Sequence, residues 1–273
     1  MRAVTCGLRE QIMNQRVTIN IEYQIAKVTL NRPDKHNALD MPMFVAIVDA
    51  IKQIKKNKNI RVVIVSGEGK SFCSGLDVKS VMKQRTNMFK LLWKWWPGNA
   101  NLAQQVTVGW RQLDIPVIMV LQGNCWGGGM QIALGGDFRI AAPDTSLSIM
   151  EAKWGLIPDM GGTPGLMENV SLDHAMKLAM TAEIISATEA LEKNLITQIH
   201  DNPMQAANEL ANKLIERSPD TNKRIKQMYH KIWCNKQGKI LASETFNQWR
   251  IILGKNQKIA VKRELGNKDI DYV

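Results

Sequence analysis

Two stretches of the chain place glycines where chemistry would need bare backbone: Ser71-Phe72-Cys73-Ser74-Gly75-Leu76-Asp77 and Gly123-Asn124-Cys125-Trp126-Gly127-Gly128-Gly129-Met130. Each reads as a strand running into a glycine turn and then a helix, a geometry that aims unpaired N–H groups at one spot. With the two turns side by side, the N–H groups of Leu76 and Gly128 would hold one carbonyl oxygen between them. Such an oxyanion hole stabilises negative charge that develops on that oxygen during a reaction. Asp77, at the mouth of the following helix, reads as its cap. Gly127 and Gly129 read as turn and packing residues.

The surrounding elements must hold these turns in place. Val17 to Glu22 and Ile25 to Leu30 alternate apolar residues and suit paired strands joined by a tight turn. Asp40 and Pro42 start a helix on which Phe44, Ile47, Val48, Ile51 and Ile54 recur at three and four. Val62-Val63-Ile64-Val65 and Val117 to Leu121 are buried-strand runs, and both lead toward the glycine turns. Strands alternating with helices predict an α/β fold whose strand ends carry the site.

After Asn194 the pattern is helical to the end. Its apolar stripes are Ala206, Leu210, Leu214 and Ile215, then Ile225, Met228 and Ile232, then Phe246, Trp249, Ile252 and Leu253. The expected organisation is an α/β core over 1–199, with 1–16 as a loose leader, and a C-terminal helical segment over 200–273, without linker or internal repeat. Between the turns, Met82, Arg85, Phe89, Leu92, Trp93 and Trp96 suggest a helix broken at Pro97-Gly98, and Leu102, Val106, Trp110 and Leu113 a second one. This stretch is either core and subunit contact or the wall of a pocket for an apolar substrate tail.

Composition narrows the function classes. The chain has 273 residues, 45% hydrophobic and 22% charged, the profile of an ordinary globular protein with a sizeable core. No apolar run approaches the ~20 residues that cross a bilayer, so no membrane partner is expected. Residues 1–14 resemble neither a secretory signal nor a clear transit peptide. The four cysteines, Cys6, Cys73, Cys125 and Cys234, make no C-x-x-C pair, so reduced thiols and a cytoplasmic location are expected. The four histidines lack ligand spacing, and no metal is expected. The net charge of +11, concentrated over 223–268, reads as a solvated helical face; no aromatic-interleaved basic motif accompanies it, which disfavours nucleic acid as a partner.

A third segment, Met150-Glu151-Ala152-Lys153-Trp154-Gly155-Leu156-Ile157-Pro158-Asp159-Met160-Gly161-Gly162-Thr163, joins the two turns and the loop Asn31-Arg32-Pro33-Asp34-Lys35-His36-Asn37-Ala38-Leu39. Together, in this order, the four motifs closely resemble the crotonase superfamily, the enoyl-CoA hydratase/isomerase family, over about 17–199. The resemblance implies a crotonase-like fold of repeated ββα units, assembly as a homotrimer or hexamer, and an acyl-CoA thioester substrate. Coenzyme A then belongs to the substrate, and no tightly bound cofactor is expected. The same resemblance assigns the oxyanion donors to Leu76 and Gly128. It places CoA contacts at Lys35, Lys70 and Lys79 beside Leu76, and leans the C-terminal helices over a neighbouring subunit's site.

Its catalytic residues are implied unevenly. Hydratases of the superfamily carry two glutamates; Glu151 matches one position, but the other falls on Gln131, whose amide cannot exchange a proton as a carboxylate does. Dienoyl-CoA isomerases use a Glu and an Asp eight residues apart, matched by Glu151 and Asp159, although they also place an acid where Gln131 stands. Isomerisation is therefore favoured over hydration, with a CoA- or RNA-binding member of altered catalysis as the remaining alternative. Read without the motifs, Glu151 is a surface carboxylate paired with Lys153, and Asp159 a turn residue after Pro158.

Overall fold

The structure, a computed structural model, describes residues 10–13, 16–96, 98–233, 237–266 and 269–270. Seven strands form the main sheet in the order β1 (Glu10–Met13), β2 (Val17–Glu22), β3 (Ile25–Leu30), β4 (Val62–Gly67), β5 (Val117–Leu121), β7 (Phe138–Ala141) and β10 (Gln198–Ile199). β1, β2 and β3 pair antiparallel, and the rest pair parallel. β4 and β5, covered on both faces, are buried at every position, as expected of central parallel strands.

A small second sheet, β6 (Asn124–Trp126), β8 (Ser146–Ser148) and β9 (Ile185–Ser186), stands beyond the strand ends. Isolated bridges Cys73–Cys125 and Leu39–Leu76 extend it, so equivalent turns from successive units stack in parallel. This stacking is what the repeated ββα pattern builds.

Helices fill the crossovers. α1 (Met41–Lys56) is capped by Asp40, whose carboxylate accepts from Met43 N, as the Asp-x-Pro start predicts. α2 (Val78–Met82), α3 (Arg85–Leu92) and α4 (Leu102–Arg111) lie between the glycine turns, and α5 (Gly128–Ala133) follows the second. α6 (Thr163–Asn169), α7 (Leu172–Thr181) and α8 (Ala187–Glu192) complete the first part of the chain. The C-terminal part contributes α9 (Pro203–Ile215), α10 (Pro219–Trp233), α11 (Gln237–Ile252) and α12 (Lys255–Glu264).

Four sequence expectations need correction. Residues 10–13, assigned to a loose leader, pair with β2, and Arg16 closes a 2.8 Å ion pair onto Asp40; a short edge strand gains ladder hydrogen bonds that four residues of sequence do not advertise. The boundary at Ile199 separates patterns, not packing units: Ala206, Ala207 and Ala211 of α9 lie on Ile25, Val62, Ile64, Ile118, Val120 and Ile140 of the main sheet. The helix expected up to Pro97 ends at Leu92, with Trp93 extended, and Pro97 lies outside the described residues. On that stretch Leu92 is buried, but Phe89, Trp93 and Trp96 face solvent in the single chain.

The fourth correction concerns α11. Of its expected apolar stripe, Phe246 is 63% and Leu253 81% exposed and Trp249 and Ile252 are half-buried, while Leu241, Glu244, Thr245 and Gln248 are buried. Lys226 on α10 is likewise buried rather than part of a solvated basic face. It donates to Asp137 at 2.7 Å and to Ile115 O at 2.9 Å, and His230 reaches the same aspartate at 2.9 Å. A buried lysine needs such partners.

Candidate active site

The two glycine turns lie against each other. Cys73 N donates to Asn124 O and Trp126 N to Cys73 O, each at 3.0 Å, so the turns are joined as neighbouring strands. Gly75 has φ +93°, a conformation that favours glycine. A Cβ there would come within 2.9 Å of Trp126 O and 3.5 Å of Gly128 N, so the peptide that carries the Leu76 N–H runs directly beside Gly128. Neither the Leu76 nor the Gly128 N–H makes a hydrogen bond to any described residue. Two neighbouring N–H groups left without an internal partner are what an oxyanion hole requires.

Asp77 caps α2 through Ser80 N at 3.0 Å and pairs with Arg32 at 2.9 Å, as the cap reading expects. The loop 31–39 is tied to the first turn by Leu39 N to Gly75 O and Asp77 N to Leu39 O. Lys35, Lys70 and Lys79 are all exposed around this turn. Burial pushes the Cys73 thiol up to about 12 and the Cys125 thiol well above its usual value, so neither supplies a thiolate. Cys6 and Cys234 lie outside the described residues. Among the described residues no cluster of histidine, cysteine or carboxylates is arranged to hold a metal, and no helix is long and apolar enough to cross a membrane.

The third motif folds over the second turn. A Cβ on Gly128 would meet Met160 Sδ at 2.8 Å, and one on Gly127 would stand 3.7 Å from Glu151 Oε1. Glu151 opens a short 3-10 turn, Glu151–Trp154, and is not paired with Lys153, which bonds Glu264 at 3.1 Å instead. Its Oε1 accepts from Gln131 Nε2 at 2.6 Å, while its Oε2 is buried without a hydrogen-bond partner among the described residues. Gln131 in turn accepts at Oε1 from Met160 N at 2.9 Å and Gly162 N at 3.3 Å.

Burial raises the Glu151 pKa above the usual carboxylate value, opposed by the Gln131 hydrogen bond. Asp159 is pushed up to about 8, by burial first and then by the Glu151 and Glu244 charges. At neutral pH these effects favour the protonated form of Asp159.

Two residues in this group carry no signal in the motifs: Glu244 and Gln248. Glu244 Oε2 accepts from Gly161 N at 3.1 Å and Gln104 Nε2 at 2.9 Å, and Gln248 Oε1 accepts from Ile157 N at 3.1 Å. The i, i+4 spacing of two polar residues was the only hint in the sequence, and the stronger apolar stripe masked it. α11 thus packs on residues 157–161 of its own chain.

Residues 20–260 match the family model described as enoyl-CoA hydratase/isomerase. The chain belongs to the enoyl-CoA hydratase/isomerase family. This hydratase/isomerase-family chain is 32% identical over 217 residues to the short-chain-enoyl-CoA hydratase of Clostridium acetobutylicum, covering 77% of this chain and 79% of that protein. It is 29% identical over 192 residues to the peroxisomal Delta(3,5)-Delta(2,4)-dienoyl-CoA isomerase of Arabidopsis thaliana, covering 66% of each. Its fold matches the crystal structure of an enoyl-CoA hydratase/isomerase from Xanthobacter autotrophicus Py2 with a TM-score of 0.82 at 22% identity, over 94% of this chain and 98% of that one. Relatives of both reaction types therefore resemble this family member.

Proposed function

We propose that this enzyme moves a double bond along a conjugated, unsaturated acyl-CoA. The observation that carries this reading is the pair Glu151 and Asp159, two carboxyl groups close enough that the charge of Glu151 helps to push the Asp159 pKa up to about 8. Paired groups whose environments separate their proton affinities act as base and acid.

In the proposed reaction the thioester oxygen lies between the N–H groups of Leu76 and Gly128. Glu151 removes a proton from a carbon of the conjugated system, and the electrons of that C–H bond move through it to the oxygen as an enolate. As the enolate collapses, the protonated Asp159 delivers its proton to the far carbon. The acyl chain is then an isomer of the starting one, and the proton returns from Glu151 to Asp159. Each N–H donor contributes about 3 to 4 kcal/mol to stabilising the charged intermediate.

Hydration is the second reading, favoured by the hydratase relatives. Against it stands Gln131, which has no proton to exchange and whose amide is engaged by Glu151, Met160 and Gly162. Lys35, Lys70 and Lys79 are suited to bind the phosphates of coenzyme A, which enters as part of the substrate. The groove of about 440 Å³ between α3 and α11, lined by Phe89, Leu92, Trp93, Phe246 and Trp249, suits an apolar acyl tail. The outward apolar residues of α10 and α11 suit assembly of copies into a trimer or hexamer.

The test is incubation in deuterated water with a 3,5-dienoyl-CoA and a 2-enoyl-CoA, read by mass spectrometry. Deuterium uptake with double-bond movement and no gain of water is the expected outcome. Gain of one water on the 2-enoyl substrate would overturn isomerisation in favour of hydration.

A further inference from the structure

We propose that Glu244 and Gln248, one turn apart on α11, are the positioning residues of the acid: from outside they fix the backbone at Ile157 and Gly161, on either side of Asp159. The inference deepens the reading of Asp159 as proton donor and rests on it.

The geometry is a clamp. Three consecutive N–H groups follow Asp159, and they are held alternately from two sides: Met160 and Gly162 by Gln131 Oε1, Gly161 by Glu244 Oε2. Gln248 holds Ile157 N on the other side of Asp159. The acid is thus bracketed by bonds from α5 and from α11. Gln131 also donates to Glu151, so the same clamp sets the distance between base and acid. Glu244 is itself anchored by Gln104, within a buried cluster where Asn101 reaches Thr245 Oγ1 at 3.3 Å.

A merely structural clamp would not need a carboxylate. Glu244 Oε1 is buried with no hydrogen-bond partner among the described residues, an arrangement that an amide or an apolar group would avoid at lower cost. Burial raises the pKa of Glu244 itself, opposed by hydrogen bonds from Thr163, Gln104 and Gly161; what its ionised form adds is negative charge beside Asp159, which favours the protonated acid. Gln248 acts in the opposite sense: with its Oε1 held by Ile157 N, its remaining amide donor favours the ionised form of Asp159. The other groups facing this cluster are Glu151, which adds to the charge on Asp159, and Lys94, which donates to Leu241 O at 2.8 Å and is attracted to Glu244.

The opposed signs supply the test. Glu244→Gln keeps an oxygen for Gly161 and Gln104 but removes the charge; Gln248→Met keeps the shape but removes the amide. The Asp159 carboxyl is titrated by carbon-13 NMR, assigned with Asp159→Asn, and the pH profile of kcat is measured beside it, on variants whose thermal melts show them folded. Glu244→Gln is expected to move the Asp159 titration and the alkaline limb of kcat down by about one pH unit, and Gln248→Met to move both up, with KM little changed. Shifts in the same direction, or none, in folded protein would overturn the inference. Opposed NMR shifts in a protein that hydrates rather than isomerises would leave the clamp standing and remove the proposed reaction. Isomerisation without those shifts would do the reverse.

Discussion

Gln131 Nε2 sits 2.6 Å from Glu151 Oε1, so the position that holds a glutamate in two-carboxylate hydratases here donates a hydrogen bond to the remaining glutamate. The amide favours the ionised form of Glu151, against the burial that raises its pKa, in a place where two facing carboxylates would share one proton.

Glu151→Gln should lower kcat on an active acyl-CoA by at least ~100-fold with little change in KM, because a positioned base is used only in the chemical step. Steady-state kinetics check this. Near-normal turnover would remove Glu151 from the reaction.

Replacing Gln131 by Leu should do more than slow the reaction. It strips Met160 N and Gly162 N of their acceptor, and each buried group left unpaired costs about 1–3 kcal/mol. Denaturant unfolding should show a stability loss of that order, together with a further rise of the Glu151 pKa seen as an alkaline shift of the acidic limb of kcat.

Asp159 makes the fold itself sensitive to pH. Its folded-state pKa, about 8, lies above the unfolded value of 3.8, so between these values the folded chain holds a proton that the unfolded chain has lost. Stability must fall as pH rises through this window, by up to about 1.4 kcal/mol per pH unit from this one group. Calorimetry from pH 5 to 8.5 should show Asp159→Asn losing less stability than wild type as the pH rises.

A second charged cluster is structural. Asp137 accepts from Val117 N, Lys226 and His230, while Arg111 pairs with Glu168, which His230 also approaches. Burial would lower the His230 pKa, but the Asp137 and Glu168 hydrogen bonds outweigh it and raise it. Its contribution is therefore complete below about pH 6.5 and is lost as pH rises through the folded value. Asp137→Asn leaves Lys226 buried without its counter-charge and should destabilise by about 3–5 kcal/mol, measured by urea unfolding.

Much of this architecture was legible in the sequence wherever burial and polarity agree. β2, β3 and β5 occupy the residues that their alternation or unbroken apolar runs indicate, and Asp40 caps α1 as its spacing predicts. The glycine turns could be read because close backbone approach leaves little choice of residue at Gly75 and Gly129. Legibility failed where tertiary context reversed the pattern. On α11 Glu244 and Gln248 point inward because the backbone of residues 157–161 needs hydrogen-bond acceptors there, while Phe246 points outward. Phe89 and Trp93 repeat at helical spacing yet lie outside the core for the same reason: periodicity identifies a face, not what that face meets.

The clamp around Asp159 also orders events in time. Glu244 follows Gly161 by 83 residues, so a chain emerging from the ribosome exposes its glycine turns and Glu151 well before the helix that fastens the segment around Asp159. The segment that carries Asp159 thus stays unfastened until the C-terminal region has been made, and a product truncated before α11 would lack the acceptors that Glu244 and Gln248 supply to it.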